Sequence, residues 1–121
     1  MNKPVIIVVS LVTAAILGGG VILATRPSAP AFTGLDEFAI CLTSKSIVMY
    51  GAAWCPHCQQ EKKAFGDSFQ YVTYVECPAN PQACLDKNVT GYPTWILGDG
   101  TRLSGQQGIK KLSEASGCAL P

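Results

Sequence analysis

The sequence predicts a small α/β domain with a mixed four-stranded sheet, carried behind an apolar N-terminal helix that spans a membrane. Three observations predict this arrangement. Residues 4–25 contain no charged side chain. Further along, β-prone runs at 47–50 and 71–75 flank a helical pattern, and two more runs flank the turn at 98–100. A strand–helix–strand unit favours parallel pairing and a hairpin favours antiparallel pairing, so a mixed sheet is expected.

The apolar segment is long enough to cross a bilayer. As a helix, residues 4–25 would extend about 33 Å, close to a hydrocarbon core of about 30 Å. We expect residues 1–26 to form an uncleaved single-pass anchor in the cell membrane, with the domain on the extracytoplasmic side. The alternative is a cleaved signal peptide, because residues 29–31 offer a small-residue pattern to a peptidase. Under both interpretations the domain is exported from the cytoplasm.

Composition limits what the rest of the chain does. Residues 27–34, rich in proline and small side chains, predict a short linker, and residues 35–121 form the predicted domain. The formal net charge is +1 and the basic residues are scattered, so we expect no nucleic acid partner. Six cysteines in so short a chain indicate disulfides in an oxidising compartment. We expect a monomer.

The first half of the domain follows from apolar spacing and end signals. Thr33 and Asp36 predict the start of a first helix. Its apolar face has helical spacing: Leu35, Phe38, Ala39 and Leu42. A buried strand at 47–50 precedes a second helix, which begins near Pro56 and ends at Gly66. In that helix Glu61 is either a proton relay or an exposed carboxylate, and burial statistics favour the exposed carboxylate; we expect Lys62 and Lys63 to form a solvated end.

The second half is predicted from the same signals. A strand at 71–75 is followed by a short helix within 81–87. The runs 94–97 and 101–104 flank a glycine-containing turn, which predicts a hairpin. A final short helix has its apolar face at Ile109, Leu112 and Ala115. The predicted order is therefore helix, strand, helix, strand, short helix, hairpin and helix.

Cys55-Pro56-His57-Cys58 is the motif that carries chemistry. Structural zinc sites repeat a close cysteine pair or add histidines, and this chain has a single histidine, inside the motif. A c-type haem site needs histidine directly after the second cysteine, where this chain has Gln59. An inert disulfide is the other alternative. Because the pair opens a helix after a strand, redox activity is favoured, and we expect neither a metal nor a cofactor.

The two cysteines are expected to differ in role. Cys55 lies at the helix N-terminus, where free N–H groups and the helix dipole stabilise a thiolate. It is predicted to be the attacking thiol, and the more buried Cys58 the resolving thiol. The His57 ring is expected to stabilise the Cys55 thiolate further, which makes the disulfide more oxidising. Pro56 starts the helix, and Trp54 is predicted to shield one side of the site.

The other four cysteines are candidates for structural disulfides. Cys77 and Cys84 bracket a short loop after the second strand, and Cys41 and Cys118 lie near the two ends of the domain. Pairing them this way is one of three possibilities. One of the pairs shuttling electrons to the motif is the functional alternative, but neither pair has the helix-start context that lowers a thiol pKa.

Two separated segments together resemble the thioredoxin family: Trp54 to Cys58 after a strand, and Pro93-Thr94 some way downstream. The resemblance implies a thioredoxin-like fold in which Pro93 is cis and lies against the cysteine pair. It further implies that the Tyr92 backbone binds an extended substrate segment by strand addition. Thioredoxins carry a buried aspartate six residues before the first cysteine; here that position is Met49, which leaves the carboxylate missing or replaced by water or Glu76.

A narrower resemblance covers residues 35–118. Its segments are Tyr50-Gly51, Trp54 to Gln59, Tyr74 to Cys77, Gly91 to Trp95 and Ser116 to Cys118. They are similar to the thioredoxin-like domain fused to, or encoded beside, bacterial homologues of vitamin K epoxide reductase. The resemblance implies that reduced exported proteins are the substrates and that a quinone-linked membrane protein of the reductase type reoxidises the cysteine pair.

The sequence leaves two other functions open. A membrane-tethered reductant, serving cytochrome maturation or disulfide repair, would use the same motif in the opposite direction. A non-enzymatic binding module would use all six cysteines as structural crosslinks. The pKa of Cys55 and the effect of replacing it separate these functions from the oxidant.

Overall fold

In the computed structural model, the described part of the chain is residues 34–121. The predicted anchor at 1–26 and the predicted linker up to residue 33 lie outside this part. Among the described residues, no helix is both long enough and apolar enough to cross a bilayer.

Helices and strands follow one another in the predicted order, with one addition. They are α1 (Asp36–Ser44), β1 (Val48–Gly51), α2 (Pro56–Phe65), a 3-10 helix (Gly66–Tyr71), β2 (Thr73–Glu76), α3 (Pro81–Leu85), β3 (Thr94–Ile96), β4 (Arg102–Ser104) and α4 (Gly108–Ser116). The 3-10 helix is the addition. It includes Tyr71, so β2 starts two residues later than the sequence predicted.

The start of α1 also differs from the prediction. The expected cap, Thr33, lies outside the described residues, and Leu35 occupies the N-cap without a side-chain hydrogen bond. Asp36 is buried, and its Oδ1 accepts a hydrogen bond of 2.6 Å from the Ser68 hydroxyl. This carboxylate therefore ties α1 to the 3-10 helix.

The four strands form one mixed sheet in the order β2-β1-β3-β4. β1 pairs parallel with β2 and antiparallel with β3, and β3 pairs antiparallel with β4. A parallel pair needs a crossover connection, which α2 and the 3-10 helix provide. The predicted mixed sheet is confirmed. Its consequence for the site is that β1, a central strand, leads directly into residues 52–55.

Aromatic rings fix α2 against the sheet. The ring of Phe65 on α2 lies 5.8 Å from that of Phe38 and 6.1 Å from that of Trp95, measured between centroids. Phe38 and Trp95 are almost completely buried, as is Met49 on β1. Truncating a buried ring of this kind costs about 3–5 kcal/mol. The helix that begins at the motif therefore has a well-defined position on the sheet.

Two disulfides close the fold. Cys41 of α1 is bonded to Cys118 after α4, across a sequence separation of 77 residues. Cys77 is bonded to Cys84 of α3 across a separation of 7 residues. These are the pairings that the positions of the four cysteines suggested. The first ties the two ends of the domain together, and the second holds the connection that leaves β2.

Candidate active site

Cys55 occupies the N-cap of α2. Its backbone is extended (φ −75°, ψ 121°), and its carbonyl oxygen accepts the first hydrogen bond of the helix, from the Gln59 N–H at 3.0 Å. Pro56 follows in the first turn, where a missing N–H costs nothing because such groups have no partner inside the helix. The N–H groups of the next residues therefore remain free to face the Cys55 sulfur.

The two thiols are unpaired and differ in acidity. Burial raises the pKa of Cys55, but hydrogen bonds from the backbone and thiol of Cys58 and from the backbone of His57 more than offset this, so the pKa is lowered. Cys58 is fully buried. Burial is the main cause that raises the pKa of the Cys58 thiol to about 11. The site thus combines a ready nucleophile with a thiol that holds its proton.

The backbone and the ring of His57 have different partners. The side chain is exposed, and its Nδ1 lies 3.2 Å from Oε1 of Gln106 in the loop before α4. Because an amide oxygen accepts hydrogen bonds, this contact is a hydrogen bond in the tautomer that carries the proton on Nδ1. The backbone N–H of His57 helps to lower the pKa of Cys55, and support of the Cys55 thiolate by the ring stays a prediction.

The segment around Pro93 meets the cysteine pair. The Tyr92–Pro93 peptide bond is cis, as the resemblance implied. The Cys55 thiol donates a hydrogen bond of 3.7 Å to the carbonyl oxygen of Tyr92. Pro93 is buried, and its own carbonyl oxygen accepts from the Gly105 N–H at 2.8 Å. The structure thus brings together two segments that are far apart in sequence.

Trp54 lies at the surface next to the Tyr92 ring. Its side chain is 68% exposed, and its ring meets the edge of the Tyr92 ring at a centroid distance of 6.1 Å. Its ring is an apolar surface open to solvent, and the shielding of one side of the site by Trp54 stays a prediction. A partner that packs on this surface would remove a large aromatic side chain from water.

Glu61 differs most from its predicted environment. It was expected to be an exposed carboxylate, yet it is completely buried. Its Oε2 accepts hydrogen bonds from Trp95 Nε1 at 3.3 Å and from the Gln107 N–H at 2.6 Å, and its Oε1 accepts from the Gly108 N–H at 2.8 Å. This side chain fixes the start of α4 and with it the loop that carries Gln106.

Met49 is fully buried at the position where thioredoxins carry an aspartate. Glu76 does not replace that aspartate inside the core. It is half-buried at the end of β2, where its Oε1 accepts a hydrogen bond of 2.8 Å from the Ala53 N–H. Among the described residues, no group of three or more histidine, cysteine, aspartate or glutamate side chains is arranged to hold a metal.

The thioredoxin family profile matches residues 35–116, which is most of the chain and almost all of the described domain. The chain belongs to the thioredoxin family.

Known relatives extend the comparison. Thiol-disulfide oxidoreductase LTO1 of Arabidopsis thaliana is 38% identical over 88 residues, covering 65% of this chain and 23% of that protein. The thioredoxin domain-containing protein 5 homolog of Drosophila melanogaster is 32% identical over 95 residues, covering 68% of this chain and 23% of that protein. This thioredoxin-like chain therefore spans about a quarter of the length of these relatives.

Among solved structures, the thioredoxin of Fasciola hepatica is 28% identical, covers 59% of this chain and 76% of its own, and has a TM-score of 0.47.

Sequence reasoning missed three contributors to this thioredoxin-like site. Gln106 has no motif around it, and only the tertiary structure brings it to His57. Glu61 looked like a surface carboxylate because its donors come from distant segments. Lys62, treated as part of a solvated helix end, is half-buried over the Tyr74 ring. For Lys62 a signal existed: it lies four residues after Cys58, on the same face of α2.

Proposed function

We propose that this chain is a protein thiol–disulfide oxidoreductase, tethered to the cell membrane, that oxidises the thiols of exported proteins. One observation carries the proposal: the opposite pKa shifts of Cys55 and Cys58 next to the Tyr92–Pro93 segment. Disulfide exchange requires an outer thiol that readily forms a thiolate and an inner thiol that keeps its proton. Membership of the thioredoxin family supports the same enzyme class.

The proposed reaction starts from the disulfide between Cys55 and Cys58. A substrate thiolate attacks the Cys55 sulfur, the bond between the two cysteines breaks, and Cys58 leaves with the electron pair. A second substrate thiolate then attacks the substrate sulfur of the mixed disulfide, and Cys55 leaves as a thiolate. The substrate gains a disulfide, and the enzyme holds the two electrons as a dithiol. The substrate thiols supply the two protons, which solvent or the enzyme thiols take up.

The oxidising direction is supported by the acidity of Cys55. Stabilising the thiolate stabilises the reduced pair, so the disulfide becomes a stronger oxidant. The buried Met49 supports the same direction, because thioredoxins that act as reductants carry a carboxylate at this position, by the resemblance described above. A pair that favours its reduced form must pass its electrons on to another acceptor before it can act again.

Substrates are proposed to be extended polypeptide segments. The backbone of Tyr92 lies beside the reactive sulfur, and a chain aligned along it would present a cysteine to Cys55. The exposed ring of Trp54 offers an apolar surface to such a segment. This mode of binding depends on backbone contacts, which suits an enzyme that accepts many sequences.

The location and the electron acceptor rest on sequence features. The uncharged residues 4–25 are proposed to anchor the chain, and the structural disulfides Cys41–Cys118 and Cys77–Cys84 suit an oxidising compartment. The acceptor is proposed to be a quinone-linked membrane protein of the vitamin K epoxide reductase type, from the narrower resemblance of residues 35–118. The protein is proposed to work as a monomer and without nucleic acid.

Trapping the mixed disulfide tests this proposal. In the Cys58→Ala variant the second cysteine is absent, so a disulfide formed on Cys55 cannot be resolved by the enzyme. We expect full-length Cys58→Ala in native membranes to accumulate two kinds of partner: exported proteins with cysteines, and a quinone-linked membrane protein. The matched control is Cys55→Ala, which should trap neither. Capture of cytochrome-maturation proteins alone would support the reductant instead, and no capture would reject both.

A further inference from the structure

The face of α2 behind Cys58 carries a cation. Lys62 lies four residues after Cys58, so the two side chains project from the same side of the helix. Lys62 is half-buried, and its Nζ is 3.8 Å from the centroid of the Tyr74 ring and 5.5 Å from that of Phe69. Lys63, the next residue, is exposed. Only one of the two neighbouring lysines is therefore folded onto the protein.

The ring that holds Lys62 borders the same space at Gly51 as the resolving cysteine. Gly51 is the last residue of β1 and has no side chain. Atoms of other residues already surround the position that a Cβ atom would occupy there. Such an atom would lie 2.9 Å from Cys58 Sγ, 3.2 Å from Tyr74 Cε2 and 3.4 Å from Tyr74 Oη. The Cys58 sulfur and the Tyr74 hydroxyl thus border the same small volume next to Gly51.

Glu76 completes this cluster from β2. The Tyr74 hydroxyl donates a short hydrogen bond to Glu76 Oε2, and the Ala53 N–H donates to Oε1. The hydrogen bond from Tyr74, the Ala53 N–H and the positive charge of Lys62 together keep the pKa of Glu76 below its usual value despite some burial. Behind the buried Cys58 thiol, the Glu76 carboxylate therefore contacts the Tyr74 hydroxyl, and the Tyr74 ring contacts the Lys62 cation.

We propose that Lys62, held over Tyr74 and balanced by Glu76, is the electrostatic partner that stabilises the thiolate of Cys58 during disulfide exchange. The inference rests on the proposed oxidoreductase function. When a substrate thiolate attacks Cys55, the Cys55–Cys58 bond breaks and the electron pair stays on Cys58 Sγ. No proton moves in this step, so a full negative charge forms on a buried sulfur. When the dithiol is reoxidised, Cys58 passes through the same thiolate before it attacks the mixed disulfide on Cys55.

Burial alone would make this thiolate costly. It is the main cause of the raised pKa of Cys58, and the charge of Lys62 acts in the opposite direction. The titratable and charged groups that interact with Cys58 are Cys55 at the N-cap of α2, Lys62 on α2 and Tyr74 on β2, which Glu76 contacts in turn. Lys62 is the cation in this set. Tyr74 keeps its proton, because burial and the bond to Glu76 raise its pKa.

The test compares two adjacent lysines in the full-length chain. We would measure the rate at which a small dithiol opens the Cys55–Cys58 disulfide, together with the pKa of Cys58 from its thiolate absorbance. Lys62→Gln should slow the opening about threefold to tenfold, the size expected for one charge near a partly buried site, and should raise the pKa of Cys58. Lys63→Gln should change neither quantity. Lys62→Arg keeps the charge, so its Cys55–Cys58 disulfide should open at close to the wild-type rate.

Two further readouts separate an electrostatic role from a structural one. The difference between wild type and Lys62→Gln should shrink as salt is added, because screening weakens the lost interaction. Lys62→Met, which keeps an apolar stem over Tyr74, should behave like Lys62→Gln. Equal rates and equal Cys58 pKa values for Lys62→Gln and Lys63→Gln would overturn the inference. Failure of wild type itself to exchange disulfides would instead reject the proposed function.

Discussion

The thiol of Cys55 donates a hydrogen bond of 3.7 Å to the backbone carbonyl oxygen of Tyr92, although 37 residues separate them in sequence. This contact joins the reactive sulfur to the peptide that precedes the cis Pro93. A substrate segment that aligned with this backbone would already be close to the sulfur it must attack. Binding and chemistry are thus placed in one location by the packing of α2 against β3.

Replacing the attacking cysteine should abolish exchange. We expect Cys55→Ser to lose roughly 100-fold or more of its rate with a model disulfide peptide, because a hydroxyl supplies no thiolate at neutral pH. The double variant Cys77→Ala/Cys84→Ala, which removes a structural disulfide, should keep an exchange rate close to that of wild type. Unchanged exchange in Cys55→Ser would favour a binding module.

Alkaline pH should destabilise the reduced protein through Cys58. Burial raises the pKa of this thiol to about 11 from an ordinary 9.0, so the folded state keeps a proton that the unfolded chain releases. Because the unfolded state then binds fewer protons, the free energy of unfolding falls as pH rises. The contribution is complete below pH 9.0 and is lost as pH rises towards 11.

Urea unfolding of the reduced protein measures this effect. Across that pH range, wild type should lose stability more steeply than Cys58→Ala, which lacks the titrating group. Parallel curves for the two proteins would contradict the assigned environment of Cys58.

The two structural disulfides should contribute unequally to stability. Loop-closure entropy predicts about 4.5 kcal/mol for Cys41–Cys118 and about 2.5 kcal/mol for Cys77–Cys84, because the first closes a much longer loop. We would compare denaturant unfolding of the two double alanine variants with wild type. A larger loss from the short loop than from the long one would show that loop closure does not dominate.

Glu61 should be important for stability and for the position of the loop before α4. Glu61→Ala leaves the N–H groups of Gln107 and Gly108 without their acceptor, which should lower the free energy of unfolding by about 2–4 kcal/mol. Glu114→Ala on the exposed side of α4 is the matched control and should be nearly neutral. Equal effects of the two variants would contradict a special role for Glu61.

Local signals predicted much of this fold because they depend on near neighbours. Pro56 is tolerated in the first turn of α2 but would disrupt the interior of a helix. Gly66 ends α2 with a positive φ of 58°, which other residues seldom adopt. The hairpin of β3 and β4 followed from turn residues in the same way. The 3-10 helix was missed because residues 66–71 have no periodic pattern, and its contacts with α1 come from tertiary packing.

The site was predicted only where its residues share a motif. Cys55 and Cys58 could be singled out because their spacing and helix-start context are local. Glu61 could not be placed, because its burial depends on Trp95 and the start of α4, which reach it from other parts of the chain. A carboxylate is usually exposed, and only three converging donors make its burial stable.

The sequence by itself determined an α/β domain with a mixed sheet and the identity of the cysteine pair, and the resemblance of its motifs implied the thioredoxin-like fold. Periodicity, turn residues and a four-residue motif act over short distances, so they can be read without coordinates. Only the tertiary structure decided the surroundings of the pair: which groups face Cys58, that the His57 ring turns to Gln106, and that Lys62 rather than Lys63 folds over Tyr74. Burial and charge at a buried sulfur depend on distances between distant segments, and those distances exist only once the chain has packed.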